Sequence, residues 1–447
     1  MFIKSLKKGV LTLGTLLLVL LLIFEVSFAC YSIMTKQNHK NIKNWIRVSL
    51  FIIFILLTIT SVIVWSFRWV LLGLLLFVLA LISAISLIRN KPTTRQFKTS
   101  SVVLKTIVMI VVTLLVLTPA IVFPQHHTPK VTGDHEVATA TYTYTDENRI
   151  EKFTNNGENR NVNVEFWYPK DSKETYPLLV FSHGAYGLKI SNSSTYSELA
   201  SHGYVVVSID HPYHSLYTRS EDGMVTLINN EYNLEVSGLN TEGAYTVEEE
   251  YELIQKWMKL RTDDMNFVLD TILEKVTSDS DPIYQLIDTN KIGVFGHSMG
   301  GSASVWLGKQ RSDIDAIVNI DAPYFSDLIY DKENDTYIAK KEDFTTPLFN
   351  IYSDDVWVQL ENNPTYIGNS KSNSEHYKDA YSVHFEGAKH LSFTDLPLFS
   401  PTLANMLQGG KADIDTYYSI ETMNELILQF FDDKLKGTGQ FSPNSTY

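Results

Sequence analysis

Four apolar stretches in the first 123 residues constrain this chain more than any other feature. Val10–Phe28, Val48–Phe67, Trp69–Ile88 and Val102–Phe123 each hold about 20 residues, which at about 1.5 Å per residue crosses roughly 30 Å of hydrocarbon. Each is therefore predicted to be a transmembrane helix. Arg68 alone separates the second from the third, and one helix from Val48 to Ile88 would be about twice the bilayer thickness. A tight hairpin is expected instead, with Trp65, Phe67 and Trp69 beside Arg68 at its interfacial tip. Lys105 and Glu25 fall near span ends, where polar side chains anchor a helix at the interface. Lys4, Lys7 and Lys8 precede the first run and Ser27-Phe28-Ala29 resembles a cleavage site. The run is long for a signal peptide, however, and Ser27 stands where a lipoprotein signal would place Leu before Cys30. The first span is read as an uncleaved anchor.

Charge divides the chain at the same place. Residues 1–123 carry 13 lysines and arginines against one acid, Glu25, a net +12; residues 124–447 carry 24 against 49, a net −25. A surface that negative repels phosphate backbones, so nucleic acid is not an expected partner. One cysteine rules out a disulfide scaffold. Lys36, Lys40, Lys43 and Arg47 in loop one and Arg89, Lys91, Arg95 and Lys98 in loop three outnumber Lys4, Lys7, Lys8 and Arg68 on the other side by eight to four. The positive-inside bias puts those loops in the cytoplasm and the acidic domain outside.

Residues 124–137 are rich in turn formers and read as a linker, leaving 138–447 as one globular domain. Strand-like segments (Val162–Tyr168, Pro177–Ser182, Tyr204–Ile209, Lys291–Phe295, Ala316–Ile320, Pro347–Tyr352 and Tyr381–Phe385) alternate with helix-like ones. In Arg261–Lys275, Met265, Val268, Leu269 and Ile272 recur at helical spacing and would pack on a sheet. The run Glu248-Glu249-Glu250 suits a solvated helix start. The order is that of an α/β-hydrolase: a mostly parallel sheet with helices on both faces.

The chemistry concentrates at Gly296-His297-Ser298-Met299-Gly300, directly after a strand and before a small-residue helical segment. This G-x-S-x-G pattern builds a sharp strand-to-helix turn that exposes a serine hydroxyl at a helix N-terminus. Such a hydroxyl needs a histidine base held by a carboxylate, in the chain order Ser, acid, His. His390, in the loop after Gly387, is the candidate base; His384 lies within the last strand and reads as structural, and His376 sits in an earlier polar stretch. Asp321 and the pair Asp354 and Asp355 all follow strands, and spacing leaves the acid open. The oxyanion requires two N–H donors: Met299, after the nucleophile, and one from Phe181-Ser182-His183-Gly184-Ala185-Tyr186-Gly187, assigned to Ala185. His183, upstream of the serine, is expected to orient that loop. His126-His127 and His211-x-x-His214 lack a third ligand at a recognised spacing, and no dinucleotide or phosphate loop is present, so neither metal nor cofactor is expected.

At these residues the domain resembles the type II platelet-activating-factor acetylhydrolases and their bacterial relatives, in the dienelactone-hydrolase-like branch of α/β-hydrolases. The resemblance runs from about Gly133 to about Asp395 through Val164–Pro169, Leu179–Gly187, Tyr204–His211, Arg261–Leu269, Gly293–Gly301, Ile320-Asp321-Ala322, Gly387-Ala388-Lys389-His390, Phe393 and Asp395. It implies that the acid follows the strand after the nucleophile helix, which selects Asp321 over Asp354 or Asp355. The segments His214–Leu260 and Tyr324–Thr346 depart from that pattern and are expected to form lids or walls. The expectation is a multi-pass, membrane-anchored serine ester hydrolase acting on small-molecule or lipid esters through an acyl-enzyme. A peptidase or acyltransferase on the same residues, or a non-catalytic membrane sensor, are the alternatives.

Overall fold

The structure, a computed structural model, describes residues 13–89, 97–239 and 241–447, with the side chains of 371–373 outside the description. The start of the first span, together with Lys4, Lys7, Lys8, Lys91 and Arg95 of the charge count, lies outside these residues. The chain forms two compact units: Met1–His127 with Leu398–Ala404, and Thr128–Pro397 with Asn405–Tyr447.

The first unit contains α1 (Leu13–Thr35), α2 (Lys40–Ile59), α3 (Phe67–Arg89) and α4 (Thr99–Val122), each long and apolar enough to cross a membrane. Phe54, Ile63, Trp69, Leu72, Leu76, Leu117 and Ala120 form its interior, while large apolar side chains such as Ile82, Leu104 and Leu115 face outward. The expected hairpin between the second and third spans is present, but its turn is Thr60–Ser66 rather than Arg68. The Thr58 and Thr60 hydroxyls bond back to the Phe54 and Leu56 carbonyls, and Ser61 adopts φ +56°, which ends the helix there. Arg68 consequently lies in the first turn of α3. At the opposite end Glu25 of α1 pairs with Lys43 of α2 at 3.1 Å.

The second unit is built on an eight-stranded sheet. Its strands are β1 (Val137–Ile150), β2 (Asn159–Pro169), β3 (Tyr176–Ser182), β4 (Val205–Asp210), β7 (Ile287–His297), β8 (Ala316–Ile320), β11 (Leu348–Ser353) and β12 (Ala380–Phe385). Hairpins β5 (Tyr217–Arg219) with β6 (Val225–Leu227), and β9 (Leu328–Asp331) with β10 (Thr336–Ala339), stand apart from it. The order β1-β2-β4-β3-β7-β8-β11-β12 is parallel from β4 to β12, with β1 and β2 antiparallel at one edge. Because both faces are covered, the central strands read as continuous apolar runs. Helices α5 (Ser193–Ser201), α6 (Asn230–Leu239), α7 (Val247–Ser278), α8 (Met299–Gln310) and α9 (Thr416–Phe431) supply the cover. Met258, Met265, Val268 and Leu269 of α7 join one core with α8; Tyr196 and Leu199 of α5 and Met423 and Ile427 of α9 join the other. The Thr246 side chain and Glu249 form a capping box that starts α7 at the acidic run.

The segment expected to be a linker is partly fixed. Thr132 and Gly133 donate to Glu198 and to Ser201 Oγ, and His135 donates to the Ser201 carbonyl, so residues 132–135 lie along α5.

Candidate active site

Parallel strands end together, and the loops beyond their C-termini meet in a crevice at the sheet's top edge. Ser298, Asp321 and His390 follow β7, β8 and β12. Ser298 has φ +55° and ψ −130°, a conformation that costs about 1–3 kcal/mol outside glycine. It is imposed by the Ser298 N–H bond to the Ile320 carbonyl at 2.8 Å and by the immediate start of α8. The turn closes only because Gly300 has no side chain: a Cβ there would lie 1.9 Å from the Ser182 carbonyl oxygen.

Asp321 also has positive φ, +57°, and its N–H is tied to the Ile351 carbonyl at 2.8 Å. Its fully buried carboxylate accepts from Ser353 N at 2.6 Å, from Ser353 Oγ at 2.8 Å and from His390 Nδ1 at 2.7 Å. That last bond leaves His390 Nε2 as the acceptor nitrogen. The imidazole is half-buried, with the His297 ring 4.6 Å away between centroids. His297 Nε2 donates to the His390 carbonyl at 2.9 Å, and burial, with His390 alongside, pushes the His297 pKa well down. The direct bond from Ser298 Oγ to His390 Nε2 is not formed; catalytic hydrogen bonds of this kind tighten in the Michaelis complex.

The other acids go elsewhere. Asp354 accepts from His384 Nε2 at 2.7 Å and from Gly387 N, and His384 stacks on Trp357. Asp355 accepts from the His390 backbone N–H at 3.1 Å and from Lys389 Nζ at 3.2 Å. His376 meets Asp343 at 3.2 Å.

The loop carrying Ala185 lies against the serine. A Cβ on Gly184 would sit 3.1 Å from Ser298 Cβ, and the N–H groups of Ala185 and Met299 have no acceptor among the described residues. His183 is fully buried; its Nδ1 donates to the Gly184 carbonyl at 2.7 Å and its Nε2 accepts from Ser215 Oγ at 2.8 Å. The segment His214–Leu260 reaches the residue after the serine. Tyr232 of α6 donates to Met299 Sδ at 3.5 Å and stacks on His214 at 3.8 Å.

Two features here escaped the sequence reading. Arg261 of α7, fully buried, donates to the carbonyls of His183 at 2.5 Å and Gly184 at 3.2 Å. The sequence signal was an arginine in register with Met258, Met265 and Val268 on the apolar face of a helix. Beneath it lies a second serine–histidine–aspartate chain: Ser182 Oγ to His211 Nε2 at 2.9 Å and His211 Nδ1 to Asp264 at 3.0 Å. All three side chains are sealed from solvent. Burial raises the Asp264 pKa, but the Arg160 charge and hydrogen bonds outweigh it and hold the carboxyl well below its usual range; burial drives His211 down to about 4. With Arg160 bidentate on Asp264 and Arg149 beside it, this is a buried core network with no access for a substrate.

Known proteins resemble the chain in the same region. A family model described as platelet-activating factor acetylhydrolase, isoform II, matches residues 158–444. Platelet-activating factor acetylhydrolase of Bos taurus is 25% identical over 278 residues, covering 59% of this chain and 58% of the relative. The Gallus gallus protein of that name is 25% identical over 284 residues, covering 59% and 63%. A probable 1-alkyl-2-acetylglycerophosphocholine esterase of Arthroderma benhamiae is 28% identical over 153 residues, 34% of this chain and 33% of that one. The matches thus span about three-fifths of the first two relatives' length. A ferulic acid esterase from Streptomyces cinnamoneus superposes with TM-score 0.52 at 19% identity, covering 69% of this chain and 94% of that one, and the shared fold is the α/β-hydrolase.

Proposed function

We propose, for a chain that belongs to the platelet-activating factor acetylhydrolase isoform II family, that it is a membrane-tethered serine ester hydrolase. The observation that carries the reading is the convergence of four loops: His390 bonded to Asp321 at 2.7 Å, with Gly184 packed against Ser298. In this reading His390 Nε2 takes the Ser298 hydroxyl proton as Oγ attacks the ester carbonyl. Asp321 holds the reactive tautomer and stabilises the imidazolium. The N–H groups of Met299 and Ala185 receive the negative charge of the tetrahedral intermediate. Its collapse returns the proton to the departing alkoxide and leaves an acyl group on Ser298, which water then removes by the same route. Every proton has a named carrier in the chain, so no cofactor enters. The names of the relatives direct the choice of substrate towards 2-acetyl ester phospholipids and short acyl esters.

The four helices of the first unit are read as membrane spans, because their outward apolar side chains suit hydrocarbon and not water. The excess of Lys and Arg in loops one and three supports an extracytoplasmic second unit.

Hydrolysis of p-nitrophenyl acetate and butyrate by the full chain in detergent micelles, beside Ser298→Ala, tests the activity. Turnover that disappears in the variant is the expected result; equal rates for the two proteins would reject the assignment. Protease added to intact cells is expected to digest the second unit, and protection until lysis would reverse its placement.

A further inference from the structure

We infer that Arg261 is a positioning residue for the oxyanion hole, setting the direction and the donor strength of the Ala185 N–H. The inference rests on the esterase reading above and deepens it.

The carbonyl of Gly184 and the N–H of Ala185 belong to one peptide unit. A trans peptide is planar and its C=O and N–H point in opposite directions, so whatever fixes that carbonyl also aims that N–H. The Gly184 oxygen accepts from His183 Nδ1 at 2.7 Å, from Arg261 Nη2 at 3.2 Å and from the Gly187 N–H at 3.2 Å, and of these donors Arg261 alone also holds the preceding carbonyl, through Nη1 at 2.5 Å. Two successive carbonyls are thereby drawn towards the interior. The Ala185 N–H is left facing away from α7 and without an acceptor, beside Gly184, which lies against Ser298.

The guanidinium supplies charge as well as geometry. Among the described residues no carboxylate forms an ion pair with it, because Asp264, one turn further along α7, is taken by Arg160, Arg149 and His211. Its Nε is buried and unpartnered. A buried cation without a counter-ion costs folding energy that packing alone would not retain. Its field does, however, polarise the Gly184–Ala185 peptide in the sense that makes the N–H a stronger donor, in surroundings too dry to screen it. Burial pushes the His183, His211 and His214 imidazoles well down, with the Arg261 charge adding to the effect. The arginine therefore stands behind the loop as a positive charge with no carboxylate paired to it among the described residues.

The test compares p-nitrophenyl acetate with its thionoester counterpart, whose C=S gains little from an oxyanion hole. It uses the full chain in detergent micelles, with wild type, Ser298→Ala, Arg261→Lys and Arg261→Met. Arg261→Met is expected to lower kcat on the ester about 100-fold, the loss typical of one oxyanion donor, with KM changed less than threefold. The oxygen-to-sulfur ratio of kcat/KM should fall about tenfold or more, with Arg261→Lys between the extremes. This ratio does not depend on the folded fraction. A merely structural arginine would lower both substrates alike and leave the ratio at its wild-type value in both Arg261 variants, which would overturn the inference. If Ser298→Ala turned over like wild type, the esterase reading itself would fall, a result distinct from an unchanged ratio above a dead Ser298→Ala.

Discussion

Replacing Asp321 by Asn keeps the shape of the side chain while removing the charge on which His390 depends. The carboxylate accepts three hydrogen bonds, from Ser353 N, Ser353 Oγ and His390 Nδ1. An amide has one acceptor oxygen, and the buried Ser353 N–H claims it, since that backbone donor has no other way to turn. The Asn NH2 group then faces His390, whose Nδ1 must become the acceptor, so the ring proton moves to Nε2. A ring protonated there cannot take the Ser298 proton. The loss expected for a wrong tautomer is about 10⁴-fold in kcat, or about 5.5 kcal/mol at about 1.4 kcal/mol per decade. KM should hold within about threefold, because no substrate contact changes. Steady-state hydrolysis of p-nitrophenyl butyrate by the full chain, with circular dichroism as the check on folding, measures this. Asp354→Asn and Asp355→Asn belong in the same series. The first disturbs the His384 pair and the second the His390 backbone bond, and each is expected to keep more than a tenth of wild-type kcat. Asp321→Asn at wild-type rates, beside a dead Asp354→Asn or Asp355→Asn, would refute the reasoning.

Gly300→Ala places a methyl 1.9 Å from the Ser182 oxygen, so strand or elbow must shift; at about 1–3 kcal/mol for such overpacking it should lower Tm by several degrees and activity more than tenfold. An unchanged Tm and rate would mean that the elbow is looser than described. Stability should also fall on acidification. His211 is pushed from 6.5 to about 4, chiefly by burial, so its contribution is complete above pH 6.5 and is lost as pH drops towards 4, about 3 kcal/mol in all. Asp264, held below its usual range, adds a loss in the same direction. Burial raises Asp210 to about 7, which opposes this decline, since its contribution is complete below the usual carboxylate range and fades as pH climbs through 7; His183, His214 and His297, all held well below 6.5 chiefly by burial, act with His211 and turn the balance towards a fall in acid. His211→Asn should therefore flatten the decline in Tm between pH 6.5 and 4.5, and an undiminished slope would remove His211 from the explanation.

Of the seven strands anticipated from the sequence, β3, β4, β8 and β11 are buried throughout, and their apolar runs leave little choice of structure. β1 was missed because Thr139 to Arg149 alternates threonine and tyrosine before turning polar, the pattern of an edge strand that buries one face intermittently. The second span ends at Ile59, eight residues before the expected Phe67, for a related reason: hydropathy averages over Thr58, Thr60 and Ser61, which end the helix by local hydrogen bonds. Ser298 was legible because the elbow motif is local. Spacing left the acid open, because Asp321, Asp354 and Asp355 all follow strands; the family resemblance selected Asp321, and the fold turns His390 to Asp321 and His384 to Asp354. Arg261 and the Ser182–His211–Asp264 chain join residues up to 82 positions apart, from Ser182 to Asp264, and no window of sequence contains such a contact.

The central claim is that Ser298 carries the acyl group. Treating the full chain with a fluorophosphonate and sequencing its peptides by mass spectrometry tests that directly. The account predicts a single phosphonyl adduct on Ser298, absent from Ser298→Ala. An adduct on Ser182 or another residue, or none on protein that hydrolyses ester, would contradict it.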